Sequence, residues 1–437
     1  MQRTIMGSLE AWLDSPRRKP LLLQGARQVG KTWAIRELGR MHFEEIAYVN
    51  FLDDESLARV FDGDLRPERI LDAIALQTGI AASSPGTLVV LDEIQECPRA
   101  LTSLKMFAEQ RPDLPVIAAG SLLGVALHRG VSFPVGKVDH LLMYPMTFHE
   151  YLLATDAPLA KVLVGDDASL VEAFADRCVE ALKRYCFVGG MPEAVLTFRE
   201  TGDYDQVHAV HERLLFDYER DFSKHADPAL AEKIRMIWAS TPAQLGRQNK
   251  KFVYSAVRKG ARARGYEEAI QWLVDAGLVL RVNRIAKPGL PLAAYADRDA
   301  FKLYLFDTGL LGAASNLGAV TLIRGSELFT EFKGALAENY VCQQLVASGK
   351  VVPFYWSAEN SSGAVDFVYE HAGKVVPVEV KAEVNLRAKS LRSFMEKYAI
   401  AQGLRLSLAG RQDQGWVVNV PLYECDLLPD RLPELAG

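Results

Sequence analysis

The residues from Gly25 to Thr32 have the types and the spacing that can hold a nucleoside triphosphate. Their order is G-x-x-x-x-G-K-T, with an apolar stretch before it and a helical pattern after it. Glycines let the backbone curl so that successive N–H groups point at phosphate oxygens, and a helix N-terminus adds a favourable dipole. Lys31 should reach the β- and γ-phosphates, and the Thr32 hydroxyl should bind Mg²⁺. The sequence therefore predicts ATP and Mg²⁺ as cofactors, and the predicted nucleotide contacts are Gly25, Ala26, Arg27, Gln28, Val29, Gly30, Lys31, Thr32 and Trp33.

Two carboxylates follow a second apolar stretch, Leu88–Leu91, which leads directly into Asp92 and Glu93. At a strand tip, Asp92 can hold the water shell of Mg²⁺, and Glu93 can polarise the attacking water as a general base. This pair favours hydrolysis over phosphoryl transfer to a metabolite. A third candidate, Ser121, follows the stretch Ala118–Gly120, where it either reports on the γ-phosphate or only caps a helix.

A second group of charged residues lies near the C-terminus. Asp366 occupies an extended stretch, and strand alternation places Glu379 and Lys381 on one face of a later strand, with Glu338 on a preceding helix. This set resembles the core of PD-(D/E)XK nucleases, in which carboxylates hold Mg²⁺ and a lysine stabilises charge beside the metal. The alternative is an exposed ion pair between Glu379 and Lys381, which contributes little to stability. The pattern predicts a second candidate metal site and leaves open whether the domain cuts DNA or only binds it.

A basic segment lies between Gly246 and Gly265. It contains seven basic residues, no acidic residue, and the aromatic residues Phe252 and Tyr254. Basic side chains at this density can follow a phosphate backbone, with binding that weakens as salt rises. The other interpretation is a solvated helix face that acidic neighbours balance. We favour contact with duplex or branched DNA, through the candidates Lys250, Lys251, Arg258, Lys259 and Arg262.

Several motifs taken together resemble one family. They are Gly25–Thr32, Leu91–Gln95, Gly120–Ser121, Tyr144–Tyr151, Gly189–Glu193, Phe301–Leu311 and Gly334–Glu338. This combination is similar to the bacterial and archaeal AAA+-type P-loop ATPases that carry a C-terminal DUF4143 domain. The resemblance spans nearly the whole chain. It implies a homo-oligomer, as a ring in which a neighbouring subunit completes each ATP site.

The resemblance also implies an arginine that acts on the neighbour's nucleotide. Family members often have Gly-Arg where this chain has Gly136–Lys137, and lysine lacks the planar fork of arginine. Arg129 and Arg220 are the other candidates. For each of Arg129, Lys137 and Arg220, an ordinary surface charge is the competing interpretation.

The order of elements predicts an α/β fold. Short apolar stretches alternate with helical ones up to Glu150, which is typical of a parallel sheet covered on both faces and, with the motif, of an ASCE/AAA+ P-loop NTPase. A mainly helical region follows, with a strand pair at Leu278–Ile285 and Phe301–Phe306 that favours a winged helix. A second, restriction-endonuclease-like α/β region ends the chain. We expect a P-loop ATPase core in 1–155, a helical lid in 156–225, a winged-helix-like domain in 226–328 and a DUF4143 nuclease-like domain in 329–437.

The composition limits the number of domains and the classes of function that the chain can have. A chain of 437 residues is too long for one core, and a net charge of −5 excludes a uniformly basic nucleic-acid binder. The five scattered cysteines form no CxxC pair, which favours reduced thiols and a cytoplasmic location. No apolar run is long enough to span a bilayer. The sequence leaves two functions as alternatives. The first is an ATP-driven enzyme that acts on DNA. The second is an ATP-dependent regulatory or scaffolding switch whose C-terminal domain is a catalytically inactive binding module.

Overall fold

The structure is a computed structural model that describes residues 1–53, 55–121, 134–247, 250–324, 330–358, 363–382 and 388–435. The chain forms two compact units. The N-terminal unit comprises Gln2–Tyr144 with Asp275–Gly277, and the C-terminal unit comprises Pro145–Val274 with Leu278–Gly437. The predicted division into four domains is finer than these two units and stays a prediction.

The N-terminal unit is built on a five-stranded parallel sheet in the order β2-β3-β4-β1-β5. Its strands are β1 (Leu21–Gln24), β2 (Glu45–Asn50), β3 (Thr87–Asp92), β4 (Val116–Gly120) and β5 (Asp139–Leu142). Its α-helices are Ile5–Leu13, Lys31–His42, Glu55–Ala58, Pro67–Thr78 and Pro98–Gln110, with 3₁₀ turns at Arg59–Asp62 and Ile94–Glu96. Every residue of β3 and β4 is buried, because helices cover both faces of a parallel sheet. The predicted P-loop sheet is confirmed.

The fifth strand was not expected from the sequence. β5 pairs in parallel with β1, and its four residues alternate between half-buried and exposed. A short strand at the edge of a sheet lacks the continuous apolar stretch that marks the central strands.

Helices fill the first part of the C-terminal unit, as the sequence predicts. They are Phe148–Thr155, Ala157–Val164, Ala168–Ala173, Ala175–Val188, Pro192–Thr201, Tyr204–His225, Pro228–Leu245, Tyr254–Val257 and Ala263–Asp275. Further α-helices occur at Thr308–Ala314, Ala319–Arg324, Thr330–Ala347, Lys389–Tyr398 and Leu428–Leu435, with 3₁₀ turns at Leu292–Tyr295 and Leu422–Leu427. None of these described helices combines the length and the apolar character that a bilayer crossing requires.

A mixed sheet completes the C-terminal unit, in the order β12-β13-β11-β10-β9-β8-β6-β7. The strands are β6 (Val279–Ile285), β7 (Ala296–Leu305), β8 (Phe354–Ser357), β9 (Ala364–His371), β10 (Lys374–Val380), β11 (Gly403–Ser407), β12 (Gln412–Asp413) and β13 (Val417–Pro421). The predicted strand pair β6–β7 is present, and β6 also pairs with β8, so the pair is one end of this sheet. The predicted α/β class is confirmed here; the winged-helix and restriction-endonuclease-like interpretations stay predictions.

Several of the motif segments meet in a buried polar junction of the C-terminal unit. The Asp307 carboxylate accepts a hydrogen bond from the Gly190 N–H at 2.6 Å, and the Met146 N–H donates to the Gly190 carbonyl at 2.7 Å. The Tyr185 hydroxyl donates to the Met146 carbonyl at 2.6 Å. A side chain at Gly190 would place its Cβ 2.1 Å from the Met146 carbonyl oxygen, so only glycine fits there. These motif residues therefore hold the fold together.

Candidate functional site

The loop between β1 and the helix Lys31–His42 has the backbone shape that a phosphate cradle requires. Gly30 caps the helix in the left-handed region with φ 101°, which favours glycine. Gly25 has φ 150°, and a Cβ there would lie 2.2 Å from the carbonyl oxygen of Met143. The two motif glycines are thus required by backbone conformation and by close approach.

Lys31 is buried beneath this loop, with only 7% of the residue exposed. Its ammonium donates hydrogen bonds to the carbonyl oxygens of Gly25 and Ala26, both at 2.9 Å. Burial lowers the pKa of Lys31 to about 8, although the charges of Glu93 and Asp92 oppose the shift. The lysine charge therefore lies under the loop, where main-chain carbonyl oxygens accept its hydrogen bonds.

Asp92 ends β3 and is almost fully buried. Its Oδ2 accepts hydrogen bonds from the Thr32 hydroxyl at 2.9 Å and from the Tyr48 hydroxyl at 2.5 Å. Tyr48 lies on the neighbouring strand β2, and the Arg36 guanidinium lies 5.0 Å from its ring centroid. Asp92 is thus oriented by neutral hydroxyl donors.

Glu93 follows Asp92 with φ 51°, an uncommon conformation for a residue other than glycine. The Gln95 side-chain amide donates to its Oε2 at 2.5 Å, so this carboxylate is held in place. Ser121 is buried directly after β4, and Gln24 on β1 pairs with Gly120 in the parallel register. The start of the glycine loop and Ser121 therefore lie at the same edge of the sheet.

The residues at this edge fit a Mg²⁺–triphosphate group. Main-chain N–H groups and Lys31 suit phosphate oxygens, and the oxygens of Thr32 and Asp92 suit a hard cation. Within the predicted contact set, Ala26 and Val29 are buried, whereas Gln28 and Trp33 are exposed and Arg27 is half-buried.

The arginine-finger candidates have different surroundings. Arg129 lies outside the described residues. Lys137 forms an ion pair with Glu109, with an N–O distance of 3.0 Å. Arg220 is exposed on the helix Tyr204–His225 and lies 5.7 Å from the ring centroid of Phe216.

The C-terminal unit brings Glu338, Asp366, Glu379 and Lys381 together, as predicted, and adds Lys250, Lys302 and Tyr304. We call these seven residues the lysine–carboxylate cluster. Glu338 accepts an ion-paired hydrogen bond from Lys250 on Oε1, one from Lys302 on Oε2 at 3.2 Å, and one from the Tyr304 hydroxyl on Oε2 at 3.0 Å. Both of its oxygens are therefore engaged.

The other two carboxylates of the cluster are partly engaged. Asp366 Oδ2 accepts a hydrogen bond from the Val380 N–H at 2.9 Å, and Oδ1 lies 4.0 Å from the Lys302 ammonium. Glu379 Oε1 pairs with Lys381 at 2.6 Å, and its buried Oε2 has no hydrogen-bond partner among the residues that the structure describes. The predicted pairing of Glu379 with Lys381 is present, but the carboxylate is buried rather than exposed.

The pKa values of the cluster follow from burial and charge. Burial disfavours ionised Glu338, but Lys250 and Lys302 outweigh it and lower the pKa of Glu338. Burial raises the pKa of Asp366, and the nearby charges of Glu338 and Glu379 raise it further. Within the described residues, no group of three or more His, Cys, Asp or Glu side chains is arranged to hold a metal ion. The second metal site expected at Glu338, Asp366, Glu379 and Lys381 stays a prediction.

The basic segment is largely at the surface, with one correction. Lys251, Arg258, Lys259 and Arg262 are exposed. Lys250 is not part of that surface, because its side chain is only 13% exposed and its ammonium pairs with Glu338. Sequence spacing alone could not separate Lys250 from its neighbours.

Sequence reasoning missed four residues that act on these sites: Tyr48 and Gln95 beside the glycine loop, and Lys302 and Tyr304 in the cluster. One signal was available, since Lys302 interrupts an apolar strand and alternates with Tyr304 onto the same face. A lysine in a buried strand requires a charged partner.

Comparison with known families locates three matches. An AAA domain model matches residues 17–152, a domain of unknown function (DUF8612) matches 179–321, and another (DUF4143) matches 333–423. The uncharacterized protein MJ1637 of Methanocaldococcus jannaschii is 22% identical over 246 residues, which are 53% of this chain and 50% of that protein. The chain thus spans about half the length of this curated relative.

Solved structures with a similar chain path include several ATPases. The Walker-type ATPase PABY2304 of Pyrococcus abyssi has a TM-score of 0.44 and 14% identity, with 71% of this chain and 94% of that chain covered. The RuvB Holliday junction branch migration motor of Thermotoga maritima has a TM-score of 0.31 and 18% identity, with 64% and 90% covered. The Aeropyrum pernix ORC1 protein, solved in complex with DNA, has a TM-score of 0.26 and 16% identity, with 71% and 90% covered.

The domain matches agree with the motifs and with the parallel sheet that carries the glycine loop. Residues 17–152 thus match an AAA-type P-loop domain, and residues 333–423 match a DUF4143 domain.

Proposed function

We propose that this protein binds and hydrolyses ATP and uses the hydrolysis to act on duplex or branched DNA. The observation that carries the proposal is the arrangement at one edge of the N-terminal sheet. There, a buried lysine lies under a glycine loop, next to an Asp92 that accepts hydrogen bonds from two neutral hydroxyls and a Glu93 that accepts one from Gln95. These are the parts that phosphate binding and water activation require.

Each residue has one role in this proposal. Bound Mg²⁺ would supply charge neutralisation at the phosphates, with Thr32 and Asp92 as the residues that hold it. Lys31 exchanges its bonds to the Gly25 and Ala26 carbonyls for bonds to phosphate oxygens. Glu93 accepts the proton of the attacking water. Ser121 lies at the same sheet edge and contacts the γ-phosphate.

The DNA part of the proposal rests on the exposed basic segment. Lys251, Arg258, Lys259 and Arg262 lie at the surface of an acidic protein, whereas the neighbouring aromatic residue Phe252 is buried and Tyr254 is half-buried. Their charges can pair with phosphates and release counterions. Lys250 is left out of this contact set because it pairs with Glu338.

Assembly and location belong to the same proposal. In a homo-oligomeric ring, Arg129, Lys137 or Arg220 of one copy would act on the nucleotide of the next, and Lys137 would first have to leave Glu109. A cytoplasmic location agrees with the five free cysteines.

One observation favours part of the competing function. In the regulatory or scaffolding switch, the nuclease-like C-terminal domain binds DNA or a protein and cuts nothing. The lysines that engage Glu338 and Glu379 agree with a domain that does not cut. The two functions still differ in whether DNA stimulates ATP turnover.

The first experiment measures the ATPase rate with no DNA and with single-stranded, duplex and branched DNA. We expect duplex or branched DNA to raise the rate of the wild type. Glu93→Gln should keep ATP binding and lose turnover, while the exposed control Glu96→Gln should retain it. Equal turnover in Glu93→Gln would remove Glu93 from the mechanism, and a rate indifferent to all DNA would favour the switch.

The second experiment tests the DNA surface. A variant with Lys251, Arg258, Lys259 and Arg262 changed to Glu should bind duplex DNA weakly and with a reduced salt slope. The charge-matched control changes four exposed basic residues elsewhere to Glu: Lys161, Arg199, Lys374 and Lys389. If both variants bind DNA equally well, the basic segment is not the contact surface.

A further inference from the structure

The lysine–carboxylate cluster has as many ammonium groups as carboxylates. Glu338, Asp366 and Glu379 face Lys250, Lys302 and Lys381, and the Tyr304 hydroxyl adds a neutral donor. Carboxylates that bind a divalent cation usually have oxygen atoms that no other positive group engages. Here the chain itself supplies the positive charge.

We propose that the ammonium groups of Lys302 and Lys250 occupy the place of the divalent cation, so that the cluster is a metal-free, internally neutralised centre. The inference does not depend on ATP hydrolysis. It also extends to the C-terminal domain as a whole, which would bind its partners without hydrolysing a phosphodiester bond.

The position of Lys302 carries the first step. It extends from strand β7, its side chain is only 6% exposed, and its ammonium lies 3.2 Å from Glu338 Oε2 and 4.0 Å from Asp366 Oδ1. The Tyr355 ring centroid lies 5.0 Å from the same ammonium and favours a cation there. A cation site between Glu338 and Asp366 is therefore already filled by a side chain.

The second observation that supports the proposal is that both carboxylate oxygens of Glu338 accept hydrogen bonds. Lys250 takes Oε1, and Lys302 and Tyr304 take Oε2. Mg²⁺ needs oxygens at roughly 2.0–2.1 Å in near-octahedral geometry. An ammonium on each oxygen excludes that geometry by charge and by volume, so metal binding requires the lysines to leave.

Glu379 has one carboxylate oxygen, Oε2, that is a potential metal ligand. This oxygen is buried and has no hydrogen-bond partner within the described part of the chain. Asp366 Oδ1 has the Lys302 ammonium only at 4.0 Å. Two carboxylate oxygens would thus become available to a divalent cation if the Lys302 charge were removed.

The experiment measures Mn²⁺ binding to nucleotide-free, full-length protein by electron paramagnetic resonance. Mn²⁺ is the probe because it prefers the same oxygen ligands as Mg²⁺. The variants are Lys302→Met, which keeps side-chain length without charge, and Lys302→Met combined with Asp366→Asn. The Asp366→Asn change identifies this cluster, since it leaves Thr32 and Asp92 unaltered.

We expect the wild type to bind no Mn²⁺ that depends on Asp366. Lys302→Met should gain a site at least about tenfold tighter, because a positive charge about 4 Å from the ligand oxygens is gone. The combined variant should lose that gain. Wild-type binding that Asp366→Asn abolishes would overturn the proposal, and so would a folded Lys302→Met variant that gains no Mn²⁺.

Lys302→Met leaves Glu338 with one ion partner, so folding is checked by circular dichroism with and without Mn²⁺. If the variant does not fold, Lys302→Gln decides, since its uncharged amide can still donate a hydrogen bond to Glu338. Lys302→Gln should gain Asp366-dependent Mn²⁺ affinity, and its failure to do so in folded protein would contradict the proposal.

Discussion

The nucleotide site and the lysine–carboxylate cluster use the same side-chain types and differ in what the ammonium groups bind. In the nucleotide site, Lys31 donates to the carbonyl oxygens of Gly25 and Ala26. In the cluster, Lys250 and Lys302 donate to Glu338, and Lys381 pairs with Glu379. The first arrangement leaves carboxylates for an incoming cation, and the second neutralises them.

The donors that hold each carboxylate support this difference. Asp92 is held by the hydroxyls of Thr32 and Tyr48, which carry no charge and can turn when a metal arrives. Glu338 is held by two buried cations, and removal of either leaves an uncompensated charge. A carboxylate pattern in a sequence therefore predicts a metal site only if the neighbouring lysines have other acceptors.

The largest effect is expected at Lys31. Lys31→Ala removes the charge under the loop, so ATP turnover should fall by about 100-fold or more, in line with the loss of a preorganised phosphate or oxyanion donor. The exposed Lys105→Ala on the helix Pro98–Gln110 is the control and should keep wild-type turnover. The measurements are steady-state ATPase rate and binding of a fluorescent ATP analogue. If Lys31→Ala bound the ATP analogue with wild-type affinity, Lys31 would not contribute to phosphate binding. The contrast between its environment and that of the cluster lysines would then not hold.

Sequence reasoning found the nucleotide site because its signal is local. The glycine loop lies between β1 and its helix, and Asp92 and Glu93 end a continuous apolar strand, so short patterns define them. The α/β class of both units follows from the same kind of pattern.

The contacts that sequence reasoning missed are distant along the chain. Lys302 and Lys250 lie 36 and 88 residues from Glu338, and Tyr48 lies 44 residues from Asp92. No local periodicity reports which charges meet after folding. For the same reason, the sequence predicted Lys250 as part of the basic surface, whereas in the folded chain it pairs with Glu338 in the cluster.

A smaller effect is expected from the pH dependence of stability. Burial, Glu338 and Glu379 raise the pKa of Asp366 to about 7, so the native state holds a proton that the unfolded state releases near pH 4. The stabilisation this proton provides is complete below about pH 4 and is lost as pH rises through about 7.

Asp366→Asn should remove this loss. Between about pH 5 and pH 8, the wild type should lose roughly 1–3 kcal/mol more unfolding free energy than the variant. Urea unfolding at both pH values measures the difference, with the exposed Glu370→Gln on the same strand as control. Parallel pH profiles for wild type and Asp366→Asn would mean that Asp366 stays ionised in the folded protein, and that the charges of Lys302 and Lys250 outweigh burial and the charges of Glu338 and Glu379.

The smallest effect is expected at Tyr48, whose hydroxyl donates to Asp92 at 2.5 Å. Tyr48→Phe removes one of the two hydroxyl donors to Asp92 and leaves the Thr32 hydroxyl and the Glu93 N–H, so Asp92 is less well oriented toward a cation. One hydrogen bond to a charged group contributes about 1.5 kcal/mol, so half-maximal ATPase activity should require about tenfold more Mg²⁺. The measurement is ATPase rate against free Mg²⁺, with Tyr295→Phe in the C-terminal unit as control. An unchanged Mg²⁺ requirement would show that the Thr32 hydroxyl and the Glu93 N–H are enough to orient Asp92, and the contrast between neutral and charged donors would then rest on those two groups.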